Sequence, residues 1–226
     1  PATRISANTE AGFSIVSYTG TGANATVAHG LNAVPEWIIF RDRDNINDWV
    51  VYHVGLGNTN FVKLNETIVS TDNDTIFNDT TPTSSVFSLG TSNLANNTAA
   101  TIAYCFAPKE GYSKFGSYVE HFVSDADIDS PYVHTGFRPG WLMIKGTSAG
   151  REWVMYDNKR TPDNGVYLRA NTAAVEQTDA TNHDISFLSN GFKIRGASGD
   201  INTTAESYIY MAFADQPFKF ANGGTE

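Results

Sequence analysis

The sequence predicts an all-β fold: two tandem, internally duplicated β-sandwich-like (jelly-roll-like) units. Three observations carry this. Short apolar runs of strand length are separated by stretches rich in Thr, Asn, Ser and Gly. No window holds a 3.6-residue apolar period between helix caps. And a set of motifs recurs, in the same order, about a hundred residues downstream.

Along the first half the strand-like runs are Phe13–Tyr18, Glu36–Arg41, Trp49–Val54, Phe61–Leu64, Val86–Leu89 and Thr101–Ala107. The stretch "VAHGLNAVPEWIIF", residues 27 to 40, reads as two strands hinged on a turn. Gly30 supplies the turn, and Pro35 opens the next strand where no ladder donor is lost. Trp37 and the apolar run after it then cover a core. In the second half the runs are Tyr118–Val123, Pro131–Thr135, Trp141–Lys145, Trp153–Tyr156, Val166–Arg169, Ile185–Leu188, Phe192–Arg195 and Tyr208–Ala214.

The duplication is read from paired motifs. Pro35 and Trp37 match Pro139 and Trp141, and "WVVY" from Trp49 matches "WVMY" from Trp153. "FVKLN", ending at Asn65, matches "YLRAN", ending at Asn171. "VFSLG" from Val86 matches "GFKIR" from Gly191, and "IAYCFA" from Ile102 matches "IYMAFA" from Ile209. The expected organisation is a lead-in over 1–12, one unit over 13–112, a second over 113–220 and a tail over 221–226. "PKEGYSKFGSY", residues 108 to 118, carries three aromatics and reads as a packed junction. The abrupt ends suggest a piece of a longer polypeptide.

Composition excludes several functions. Hydrophobic residues make up 41% and charged residues 17% of the chain, so it buries real cores. The net charge is −9 with no basic stretch, which argues against nucleic acid and anionic membrane surfaces. No apolar run reaches the roughly 20 residues that insert in a bilayer. The lone Cys105 makes no internal disulfide and reads as a small buried hydrophobe.

"GFSIVSYTGTGANATVAHGLNAVPEWII", "TTPTSSVFSLGT", "IAYCFAPKEGYSKFGSY", "TGFRPGWLMIK" and "FLSNGFKIR" together resemble a repeat domain near the C-terminal ends of large tail-fibre-like or other virion proteins of tailed, largely marine, bacteriophages. The resemblance runs from about Phe13 to Phe218. It implies a non-enzymatic virion role in structure or host attachment, on the outer surface of the particle. One departure is "VEHFVSDADIDSPY", where relatives tend to have a short Gly/Asn-rich turn.

Asp125, Asp127 and Asp129 in that segment alternate as in the opening of a calcium loop. Ser130 stands where the sixth-position Gly belongs, so a solvated acidic loop is the leading reading and calcium the alternative; no other cofactor is expected. "DRDNIND", from Asp42 to Asp48, is a weaker cation candidate whose residues also suit a plain hairpin turn. None of His29, His53, His121, His134 and His183 has zinc spacing. There is no nucleophile elbow, phosphate loop or dinucleotide fingerprint, and a polysaccharide-degrading enzyme is the least favoured class. Matched Trp pairs read as core, so a saccharide-stacking face is sought in the unmatched His121, Phe122 and Tyr132. The N-x-S/T sites, Asn24, Asn65, Asn73, Asn78, Asn96 and Asn202, follow from composition. Surplus aromatics, Tyr112, Phe115 and Phe220 among them, are expected at a homo-oligomer interface, a trimer by analogy with fibre proteins. Other expected partners are virion proteins and a bacterial surface glycan, the latter making a lectin-like module the alternative function.

Overall fold

Alternating apolar and polar residues become alternating burial along the strands. In "FSIVSYT" every second side chain is buried, and in "ATIAYCF" likewise. The computed structural model describes residues 1–120 and 130–216. Two compact units emerge: Pro1–Asn65 with Ser70–Lys109, and Glu66–Val69 with Glu110–Glu226.

The first unit contains β1 (Thr3–Asn8), β2 (Phe13–Thr19), β3 (Ala25–Ala28), β4 (Trp37–Asp42), β5 (Val50–His53), β6 (Asn60–Lys63), β7 (Thr71–Asp72), the one-turn helix α1 (Asp74–Phe77), β8 (Val86–Leu89), the one-turn helix α2 (Asn93–Asn96) and β9 (Ala100–Phe106). An antiparallel sheet runs β1-β2-β9-β4-β5-β6-β7, and β3 pairs with β8 in a second, smaller sheet. The small sheet packs on the large one through Phe87, whose ring meets Tyr18 at 6.1 Å and Phe40 at 5.3 Å, both edge-on. Such pairs add about 1 kcal/mol each beyond area burial.

The second unit contains β10 (Ser113–Val119), β11 (Tyr132–His134), β12 (Pro139–Gly146), β13 (Trp153–Asp157), β14 (Val166–Arg169), β15 (Gln177–Thr178), β16 (Ile185–Leu188), β17 (Gly191–Ile194) and β18 (Ser207–Ala214). Its large sheet runs β10-β18-β12-β13-β14-β15, and β11-β17-β16 forms the small one. Phe192 on β17 meets Tyr118 at 6.2 Å and Tyr210 at 5.3 Å, again edge-on. The core gathers Leu142, Ile144, Val154, Tyr156, Ile185 and Ile194 around it.

The two strand orders coincide when β2, β9, β4, β5, β6 and β7 are set against β10, β18, β12, β13, β14 and β15. Registers coincide as well: Trp37 lies opposite Phe106, and Trp141 opposite Phe213. The glycine turns before these strands have positive φ, 72° at Gly30 and 87° at Gly136, where a side chain would be strained. Pro139 is the first residue of β12, while Pro35 sits two residues ahead of β4.

Three expectations need correction. Residues 1–12 are no mere lead-in, because β1 pairs along its whole length with β2. The strand expected from Tyr118 begins at Ser113, and at Gly116 the Tyr210 ring lies where a Cβ would be. Glu66–Val69 belong with the second unit, where the Thr67 and Ile68 carbonyls accept from Gly150 N and Lys145 Nζ. Two of the four tryptophans are also less buried than the matched-core reading implies. Trp37 and Trp153 are fully buried, whereas Trp49 and Trp141 are half-buried.

Candidate functional site

Several nominated residues, Asp125, Asp127, Asp129, His121, Phe122 and Phe220, lie outside the described residues. Tyr132 sits on β11, 46% exposed, with its hydroxyl donating to Asn190 Oδ1 at 2.6 Å. Tyr112 is half-buried with its ring 5.6 Å from Phe213. Phe115 differs from the exposed interface aromatic expected of it. It lies opposite Met211, on the face of β10 away from the core residue Tyr118, yet is 4% exposed and packs edge-on against Phe213.

The "DRDNIND" loop is built as a turn. Asp42 Oδ1 accepts from the backbone N–H of Asp44 and Asn45, and Oδ2 from the side chains of Asn45 and Asn47. Burial works to raise its carboxyl, but these donors prevail and hold it below the usual range. Among the described residues no group of three or more His, Cys, Asp or Glu is placed to hold a metal ion.

Other polar groups hold the two units in the same way. Tyr18 donates to the Ala95 carbonyl at 2.6 Å, and Tyr118 to the Ile201 carbonyl at 2.7 Å. Next in sequence in each unit comes a buried asparagine. Asn96 Nδ2 donates to Gly90 O, and Asn202 Nδ2 to Gly196 O. These two N-x-T sites therefore lie inside the fold. Asn65 Oδ1 caps the N–H of Trp49 at 2.8 Å, and Asn171 Oδ1 that of Trp153 at 3.0 Å. Their amides turn to the acid ahead of each Trp, Asp48 and Glu152. Cys105 is buried, and burial pushes its thiol up to about 12, far from a reactive thiolate.

The second unit adds two features of its own. The first is a buried charged network. His183 lies with Nδ1 3.5 Å from Asp179 and Nε2 3.5 Å from Asp200, its ring stacked on Tyr167 at 4.1 Å. Asp200 also accepts from Glu152 N and faces Arg169 at 3.7 Å. Arg151 pairs with the buried Glu206 at 3.2 Å. Lys145, fully buried, donates to the Gly146 carbonyl at 2.7 Å. Desolvation lowers its ammonium to about 8, against the opposing pull of Glu206 and Asp200.

The second feature is an open cleft of about 440 Å³ beside β16. Arg138, Asp163, Asp184, Ser186, Leu188 and Arg195 line it, with Phe187. One donor of each arginine is anchored to β16: Arg138 Nη1 to the Phe187 carbonyl at 2.8 Å, Arg195 Nε to Ser186 Oγ at 2.7 Å. Asp163 lies in the 3-10 turn Pro162–Asn164, which packs on β16. The sequence reading missed this cleft because its residues are scattered over four segments, and none forms a motif.

Comparison with protein families matches residues 2–217 to a domain of unknown function, DUF7483. The chain belongs to the DUF7483 family. That match covers both units, so the DUF7483 domain takes in both sets of sheets. No curated protein and no solved structure matches the chain.

Proposed function

We propose that this DUF7483 chain is a non-enzymatic module of a tailed-phage virion surface protein, a tail fibre or decoration protein, giving rigidity and contact with the bacterial surface. We further infer that its two units arose by duplication. The observation that carries the reading is how the polar side chains are used. Tyr18 and Tyr118, Asn96 and Asn202, Asn65 and Asn171 perform matched bracing tasks in the two units. A buried polar group left unpaired costs about 1–3 kcal/mol, so the satisfied members of these pairs favour one rigid arrangement. The motif resemblance to virion repeat domains supports the same assignment. The module works as a homo-oligomer, a trimer in the fibre architecture, among other virion proteins. Gold-labelled antibodies raised against the chain, imaged on purified particles, test it. Decoration of fibres or the capsid surface is expected, and unlabelled particles would contradict it.

A second reading, a carbohydrate-binding module, is favoured by the cleft beside β16, where arginine donors and carboxylate acceptors share one concave surface.

A further inference from the structure

We infer that the cleft beside β16 is a saccharide subsite selective for a neutral sugar presenting adjacent hydroxyls. This rests on the carbohydrate-binding reading above and names its ligand class and residues.

The argument starts from the two units as scaffolds with one strand order. What both need in order to fold is present in both: the tyrosine pins, the buried asparagines, the capped tryptophans. The cleft is not among these. β16 is the third strand of a small sheet that has only two strands in the first unit. Position 138, an arginine here, corresponds through the Pro–x–Trp match to Val34, which is 44% exposed and bears no charge. The cleft-forming residues are thus additions to the scaffold.

Their chemistry selects the ligand. Two guanidinium groups and two carboxylates line the cleft, so the lining charges cancel. Arg138 makes no ion pair among the described residues and uses one N–H on the Phe187 carbonyl, which holds the fork in place while other donors remain. Asp163 stands exposed on its turn and brings acceptors only. A hydroxyl both donates and accepts, so adjacent hydroxyls of a sugar ring satisfy a carboxylate and a guanidinium together. Leu188, 37% exposed, supplies an apolar contact for the C–H face of the ring. A polyanion fits less well, because a net charge of −9 opposes its approach and Asp163 would face it.

Titration of the intact chain with maltohexaose, cellohexaose and mannohexaose, followed by protein NMR, tests the inference, with a polyuronate hexamer and sulfate as anionic probes. At least one neutral hexaose is expected to bind at millimolar or better affinity, with shifts at Leu188 and Arg195. Asp163→Asn and Arg138→Ala should each weaken it at least tenfold, Asp163→Asn without altering the remaining spectrum. Neutral binding unmoved by both substitutions would overturn this site and leave the carbohydrate reading standing. Tighter binding of the uronate or of sulfate would overturn the neutral selectivity. No binding by any sugar would overturn both, while hexaose cleavage would replace a binding subsite with a catalytic one.

Discussion

At the scale of single residues, a few buried polar groups decide the structure. Asn96 serves three backbone groups at once, donating to Ala23 O and Gly90 O and accepting from Thr21 N. The Asn202 side chain makes a single 3.4 Å bond to Gly196 O, and its Oδ1 has no hydrogen-bond partner. Asn96→Ala should therefore cost about 3 kcal/mol and Asn202→Ala about 1, measured by urea denaturation. Equal losses would contradict the distinction. Lys145 gives a prediction in pH. Its ordinary value of 10.5 falls to about 8 when folded, so between these limits the unfolded chain binds more protons. Stability should then rise as pH climbs from about 8 towards 10, while below 8 the full cost of the buried charge, roughly 3 kcal/mol, is present. Denaturant midpoints at pH 7.5 and 9.5 should show this rise in the native chain, and Lys145→Met should remove it. A native chain with a flat profile would contradict the assignment.

At the scale of elements, most strands were legible because one face of each is buried and the side-chain period is two. Val166–Arg169 and Ile185–Leu188 fall at the very bounds read from sequence. The missed elements have physical reasons. β1 is exposed along nearly its whole length, so "TRISAN" carries no apolar period, and only pairing to β2 makes it a strand. β7 and β15 span two residues each, too few for any period. The cleft was illegible for another reason: Arg138, Asp163, Asp184 and Arg195 come to line one surface only when β16, β17 and the 3-10 turn meet. Hydrogen exchange should follow the sheet order. Amides of β9 and β4, flanked on both sides in the large sheet, should be the slowest of the first unit, and those of β1 and β7 at its edges the fastest. Protection of β1 equal to that of β9 would imply that another strand covers its outer edge.

At the scale of the whole molecule, the chain carries two sandwich-like units, and the proposed virion role makes an association between copies testable. Light scattering on the purified chain should give a homo-oligomer, with an interface above roughly 1,000 Å². Tyr112 and exposed apolar residues such as Ile46, Val119 and Val175 are better interface candidates than the buried Phe115. A monodisperse monomer at high micromolar concentration would favour a free-standing binding module. The central claim, that the chain belongs to a virion, is tested most directly by mass spectrometry of purified particles from a culture carrying its gene. Peptides from both units are expected at copy numbers comparable to the other tail or capsid-surface proteins. Peptides abundant in the lysate but missing from the particles would contradict it.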